Sequence, residues 1–170
     1  DWSSDVCSSD LSGSGKSTLL RALMGWGTSL DHPVSIDGIP PTSISEEWMT
    51  RHMAWVPSDI TYRIGTASDL YYLGREECDE FESWQGLHLP EASTPGSHLS
   101  DGQLRRISLA RALARHPAIL LLDEPTATLD DEGRRAILAA LNNFPGTLIV
   151  ATHDTELAAL CSVVVDLSES

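Results

Sequence analysis

The sequence is poor in cysteine, in basic residues and in long hydrophobic runs. Its three cysteines, at positions 7, 78 and 161, are an odd number without metal-ligand spacing, which argues against a disulfide framework and indicates reduced thiols in a cytosolic compartment. Only 11 Lys and Arg residues stand against 25 Asp and Glu, and the resulting net charge of −14 argues against a nucleic-acid partner. No apolar run approaches the roughly 20 residues that cross a bilayer. Any membrane association must therefore come through a partner or another part of the polypeptide.

The first eleven residues read DWSSDVCSSDL and differ in character from the rest of the chain. They have no helical or strand periodicity, and all eleven match the translation of a common sequencing-library adapter. We therefore interpret residues 1–11 as an adapter-derived segment to be excluded from fold reasoning. We expect the natural chain to continue upstream of Ser12, and the strand that should lead into the next loop to be missing. A natural disordered tail is the alternative.

From Ser12 onward, strand and helix patterns alternate, which predicts an α/β fold with a mainly parallel central sheet. The predicted strands are residues 34–36, 52–56, 118–122, 147–151 and 163–165. The predicted helices are residues 17–24, a brief helix from 45, then 100–116, 131–144 and 155–160. The run at 118–122 is apolar throughout, as expected of a strand covered on both faces.

A glycine-rich segment lies directly before the first predicted helix, and it fits most of the phosphate-loop pattern G-x-x-x-x-G-K-[ST]. Its backbone N–H groups and the helix N-terminus favour phosphate oxygens, the lysine supplies a charge for the β- and γ-phosphates, and the Ser17 hydroxyl is suited to Mg²⁺. Asp10 replaces the first glycine of the pattern. A flexible linker is the alternative, but it does not explain leucines at helical spacing directly afterwards. The predicted phosphate-binding residues are Gly13, Ser14, Gly15, Lys16, Ser17 and Thr18.

Acidic and histidine side chains follow two of the predicted strands. Asp123 and Glu124 come at the end of one apolar strand, and His153 comes after the next. Ligands bind at the carboxyl edge of open α/β sheets, so we expect Asp123 to reach Mg²⁺ there. Ser100 is also placed to cap a helix, in the pentapeptide Leu99-Ser100-Asp101-Gly102-Gln103.

Along the chain the phosphate loop comes first, then the pentapeptide, then the two acidic residues and then the histidine. These four elements in this order resemble the nucleotide-binding domain of ATP-binding cassette (ABC) proteins. The resemblance implies a P-loop NTPase fold over residues 12–170, with a shortened helical subdomain at about 66–116. It also implies that Glu124 is the general base and that His153 contacts the γ-phosphate.

Other roles follow from the same resemblance. Asp130 would belong to the D-loop that couples two sites across a dimer. Ser58 stands where the family has its Q-loop glutamine, which puts the efficiency of hydrolysis in doubt. The signature residues, which would act in trans on a second domain, are Ser100, Asp101, Gly102 and Gln103. Asp101 departs from the commonest signature, which has glycine there.

The function implied is an ATPase that dimerises with a second nucleotide-binding domain, identical or different, around two Mg²⁺-ATP. It would drive a transporter at the cytoplasmic face of the membrane, through a fused or separate transmembrane domain. The stretch from Trp55 to Thr66 resembles exporter-type domains. A partner domain that hydrolyses ATP weakly or not at all is one alternative, and a cassette ATPase outside transport is another.

Overall fold

The computed structural model describes residues 6–9, 15–26, 34–73 and 86–166. Within them, five parallel strands form one sheet, in the order β2-β3-β4-β1-β5. The α/β prediction with a parallel central sheet is therefore confirmed. The strands are β1 (Val6–Ser9), β2 (Met53–Val56), β3 (Ile119–Asp123), β4 (Thr147–Ala151) and β5 (Val163–Asp166).

The expectation that the first strand is missing was wrong. Val6–Ser9 lies between β4 and β5, in register with Ile149–Ala151 on one side and with Val163–Asp166 on the other. Parallel pairing uses backbone N–H and C=O groups, so an extended segment can occupy this place whatever its side-chain pattern. The adapter origin of residues 1–11 stays a prediction, because sheet pairing does not test it.

The five predicted helices form in the predicted order, with differences at their ends, and Ala67–Tyr72 adds a sixth within the stretch predicted only as a shortened helical subdomain. α4 ends at Leu113 and not at His116. His116 has a φ of 48° and directly precedes Pro117. A residue before proline is disfavoured in the helical region, so this turn ends the helix early. The helices are α1 (Lys16–Leu23), α2 (Glu46–His52), α3 (Ala67–Tyr72), α4 (Asp101–Leu113), α5 (Asp131–Asn142) and α6 (Thr155–Ala158), with short 3-10 helices at Pro41–Ser43 and Gly96–His98.

One predicted strand is replaced by a turn. Residues 34–36 form no strand, and Ile36 makes a single antiparallel bridge to Ile39. Asp37 and Gly38 between them both have positive φ, the conformation of a tight two-residue hairpin turn.

The core covers both faces of the sheet at β3. Leu120 and Leu122 belong to the larger apolar cluster, which includes residues of α4 and α5. Leu121 points the other way, into a second cluster with Leu20 of α1 and Met49 of α2. The sheet is therefore a buried middle layer between helices, and its carboxyl edge is the place where loops emerge together.

This strand order determines where three of the predicted site residues lie. Ser58, Glu124 and His153 lie just past the ends of β2, β3 and β4, which are neighbours in the sheet. In the described part of the chain, no helix is both long and apolar enough to cross a membrane.

Candidate active site

The site begins at the N-terminus of α1. Gly15 precedes this helix with a φ of 85°, and a Cβ there would meet no atom of the described residues within 4 Å. The conformation favours glycine because of its backbone angle, and the helix N-terminus that follows favours an anion. Lys16 and Thr18 lie in the first turn and are half-buried. Gly13 and Ser14, also predicted to bind phosphate, lie outside the described residues.

Two hydroxyl groups converge on the buried carboxylate of Asp123. The Ser17 hydroxyl donates to Asp123 Oδ2 over 2.7 Å, and the Ser58 hydroxyl donates to the same atom over 3.2 Å. The Asp123 residue is only 3% exposed. The predicted pair of metal-site residues, Ser17 and Asp123, is thus brought together, and Ser58 joins it as a third oxygen donor. Oxygen donors of this kind are what Mg²⁺ prefers.

Glu124 lies between two cationic or potentially cationic groups. Its Oε1 is 3.9 Å from Lys16 Nζ, and its Oε2 is 2.8 Å from His153 Nδ1. Oε2 is buried and, despite this short distance, lacks the alignment of a hydrogen bond. The structure therefore brings both predicted catalytic residues into contact, beside the lysine of the phosphate loop.

The backbone of Glu124 is held in an unusual conformation. Its φ is 49°, a left-handed value that costs energy for a residue with a side chain. Its N–H donates to Ala151 O over 2.8 Å, which ties it to the end of β4. Its carbonyl accepts a hydrogen bond from Arg105 of α4. These backbone contacts fix the direction in which the Glu124 side chain leaves the sheet.

Arg105 is a site residue that sequence reasoning missed. Its guanidinium donates to the carbonyls of Glu124 and, over 3.0 Å, of Ser58, although the residue is only 7% exposed. Burial lowers the pKa of Arg105, and the carboxylates of Asp101, Glu124 and Asp123 act in the opposite direction. Arg105 thus connects α4 to two of the loops at the carboxyl edge. In the sequence, nothing distinguishes Arg105 from the adjacent Arg106.

The predicted signature residues form the start of α4. Ser100 N–H donates to Gln103 Oε1 over 2.9 Å, and Gln103 N–H donates back to Ser100 Oγ over 3.2 Å. This reciprocal capping satisfies two helix-end donors. Among the described residues, no hydrogen bond or ion pair joins Ser100, Asp101, Gly102 or Gln103 to Lys16, Asp123 or Glu124. The signature is thus built separately from the site on α1.

Asp130 caps α5 within the chain. Its Oδ1 accepts a hydrogen bond from Gly133 N–H over 2.9 Å, and a Cβ on Gly133 would lie 2.9 Å from the same oxygen. This local role accounts for an Asp at position 130 and for a Gly at position 133. The D-loop role across a dimer stays a prediction.

A charged pair fixes the segment after His153. Asp154 caps α6 and accepts hydrogen bonds from Arg134 Nε over 2.7 Å and Arg134 Nη2 over 2.6 Å. The Arg134 guanidinium holds the pKa of Asp154 well below its usual range. This bidentate contact anchors the loop that carries His153 to α5.

We expect Asp154→Asn to lower thermal stability at pH 7, and the difference from the unsubstituted chain to shrink in acid. The folded-state pKa of Asp154 is depressed, so its charged form stabilises the fold above its unfolded-state pKa, about 3.9. That contribution is lost as the pH falls below about 4 toward the folded pKa. Melting temperatures measured between about pH 3 and 7 test this; Asp59→Asn, at an exposed position, is the control. A constant difference at all pH values would contradict the linkage.

Comparisons with known proteins agree with this geometry. Residues 11–127 match the family described as ABC transporter. The chain is 35% identical over 162 residues to the glutathione/L-cysteine transport system ATP-binding/permease protein CydD of Escherichia coli, covering 85% of this chain and 27% of that protein. It is 33% identical over 159 residues to the ATP-dependent lipid A-core flippase of Saccharophagus degradans, with 82% of this chain and 27% of that protein covered. The chain thus spans about a quarter of the length of these two relatives.

Solved structures show the same likeness. A dimeric post-hydrolysis state of the ATP-binding cassette MJ0796 bound to ADP and Pi has a TM-score of 0.79 and 27% identity, covering 96% of this chain and 80% of that one. A bacterial Atm1-family ABC exporter with ATP bound has a TM-score of 0.82 and 25% identity, covering 97% of this chain and 32% of that one.

Proposed function

The chain belongs to the ABC transporter family as one of its ATP-binding domains, and from this premise we propose that it binds ATP at α1 and hydrolyses it to drive transport. The observation that carries the proposal is the position of Glu124, in contact with both Lys16 and His153 and one residue from the buried Asp123. A base, a phosphate-binding cation and a metal-binding carboxylate thus meet at one edge of the sheet.

The contacts of Glu124 suggest how phosphate enters the site. Lys16 and His153 both face the Glu124 carboxylate, at 3.9 and 2.8 Å. The γ-phosphate of ATP offers both groups a stronger anionic partner, so its arrival draws them away and frees Glu124 for water. Water then attacks the γ-phosphorus, the bond to the β-phosphate oxygen breaks, and Glu124 accepts the proton of the attacking water. ADP and phosphate are the products.

Ser17 and Asp123 are the residues that would hold Mg²⁺, and Ser58 lies within reach of the same carboxylate. When bound, the ion neutralises charge on the β- and γ-phosphates. The residues fit this role because the Asp123 oxygen already gathers two hydroxyl groups.

We expect Ser58→Ala to raise, by roughly three- to tenfold, the Mg²⁺ concentration that half-saturates ATP hydrolysis. The substitution removes one oxygen donor beside Asp123 and a hydrogen bond to a charged group, worth about 1.5 kcal/mol at the low end of its range. A Mg²⁺ titration of phosphate release at saturating ATP measures the effect. Ser35→Ala, at an exposed position away from the site, should leave it unchanged. Equal Mg²⁺ dependence in all three chains would place Ser58 outside the metal site.

We further propose that the domain works as a dimer, with the signature of one copy closing on the nucleotide of a second identical or different domain. The separation of the signature from Lys16 and Glu124 within one chain supports this. A fused or separate transmembrane domain would hold the dimer at the cytoplasmic face of a membrane. The likeness to a lipid A-core flippase and to an Atm1-family exporter favours export.

Ser58 supports one second candidate, a partner domain that binds ATP but hydrolyses it weakly. Phosphate release and light-scattering mass, measured on the same chain with Mg²⁺-ATP, separate the possibilities. Release together with an ATP-dependent dimer supports the hydrolysing domain. An ATP-dependent dimer without release supports the weak partner. Absence of ATP binding would overturn both.

A further inference from the structure

Arg63 contacts the signature at two points. Its guanidinium donates one hydrogen bond to the Leu99 carbonyl and forms an ion pair with Asp101 Oδ1. Leu99 directly precedes the cap residue of α4, and Asp101 is the first residue of the helix. One side chain from the segment after β2 therefore holds both ends of the signature turn.

The backbone around Arg63 is built for this contact. Gly96 N–H donates to Gly65 O over 2.7 Å, and a Cβ on Gly96 would lie 2.7 Å from the Arg63 carbonyl oxygen. A side chain at Gly96 would push the two segments apart. Thr66, next to Gly65, caps α3 and bridges to Pro95. The position of Arg63 beside the signature is thus fixed by the packing of two backbone segments.

Asp101 poses an electrostatic problem for a signature that approaches phosphate. The N-terminus of a helix attracts anions through its free N–H groups, and Ser100 and Gly102 lie there. A carboxylate in the same turn repels a second anion. The Asp101 side chain is 71% exposed, so it is open to an approaching ligand. Arg63 supplies the opposite charge at this point.

We propose that Arg63 is a positioning residue, which neutralises Asp101 so that the start of α4 accepts the γ-phosphate of ATP bound by a second copy. The proposal rests on the proposed ATPase function. It explains the unusual Asp101 in the signature by its ion pair with Arg63, some 40 residues earlier in the chain. Neither residue acts on the reacting atoms directly.

Five variants of the full chain test the pair: Arg63→Met, Arg63→Lys, Asp101→Gly, the double variant of Arg63→Met with Asp101→Gly, and Arg51→Met. Arg51 is an exposed residue of α2 paired with Glu47, so its loss changes the net charge equally without touching the signature. The measurement is the ATP concentration that gives half-maximal dimerisation in a Glu124→Gln background, read by light scattering. Melting temperatures confirm that each variant is folded.

Arg63→Met is expected to raise this ATP concentration about tenfold, equivalent to about 1.4 kcal/mol. Asp101→Gly in the same chain should restore it to within about twofold, because the uncompensated charge is gone. The defect of Arg63→Met should also shrink between about 50 and 500 mM salt, since screening weakens the repulsion. Arg63→Lys, which keeps the charge, should retain most of the affinity.

Three alternative outcomes would contradict the inference. If Arg63→Met behaves like Arg51→Met, the pair has no role in closure. If Asp101→Gly gives no rescue, or salt has no effect, Arg63 acts only as a structural support of the Leu99 carbonyl. If the chain with Arg63 and Asp101 intact binds no ATP, the proposed function itself fails, and the inference fails with it.

Discussion

Glu124→Gln is expected to bind ATP and dimerise while its turnover falls by roughly 10²- to 10⁴-fold, the usual contribution of a general base. The amide has nearly the shape of the carboxylate but cannot accept the proton of the attacking water. It also removes the negative charge that faces Lys16 and His153, so ATP affinity should stay equal or rise. Phosphate release and equilibrium ATP binding, measured on the same preparation, separate the two effects.

Glu132→Gln is the matched control for this experiment. Glu132 lies in the first turn of α5, where it is 68% exposed and 3.8 Å from His88. The chemical change is identical, but the residue is outside the site, so turnover should be unchanged. Undiminished turnover in Glu124→Gln would remove Glu124 from the role of base and make another group responsible for activating water.

Lys16→Ala is expected to weaken ATP binding by about 30-fold or more, since truncating a half-buried charged partner costs about 2–5 kcal/mol. Lys16 is the only lysine in the sequence, so chemical labelling of its amine gives a second, independent test of its contact with ATP. Within residues 1–170, an amine-reactive probe therefore finds its one side-chain amine at Lys16. ATP should protect Lys16 from modification, as peptide mass spectrometry would show.

Arg21→Ala controls for loss of charge on the same helix. Arg21 lies in the last turn of α1 and is exposed, so its removal should change ATP affinity by less than about threefold. If Lys16 were labelled equally with and without ATP, or if Lys16→Ala bound ATP normally, the phosphates would have to bind elsewhere.

Most helices and strands were predictable because the sequence signals for regular secondary structure are local. The strand at 147–151 was predicted with the bounds it has, since an apolar run between Gly146 and a polar stretch leaves little choice. The start of α4 followed from Ser100, whose side chain caps the next turn. The start of α5 at Asp131 was also predicted, but its cap, Asp130, was found only in the structure. Helix ends were less accurate, because α4 ends where the conformation before Pro117 dictates.

The convergence of Asp123, Glu124 and His153 was also predictable, since the carboxyl ends of neighbouring parallel strands meet at one edge. Ser17 was assigned to the same metal ion through the phosphate-loop pattern. The roles of Arg63 and Arg105 were not. Each acts through backbone carbonyls that lie far away in the chain: Arg105 reaches Ser58 across 47 positions and Arg63 reaches Leu99 across 36. Such partners depend on tertiary packing, and no spacing rule relates them.

The place of β1 in the sheet has a practical consequence for fragments of this protein. β5 pairs with β1, and β1 pairs with β4, so Val6–Ser9 is the only described strand that joins β5 to the rest. A chain beginning at Ser12 would leave a slot one strand wide between β4, the strand that precedes His153, and β5. Because the slot is recognised through backbone groups, a separate extended peptide could fill it. Supply of such a peptide is therefore expected to restore the attachment of β5 to the sheet in a chain that begins at Ser12.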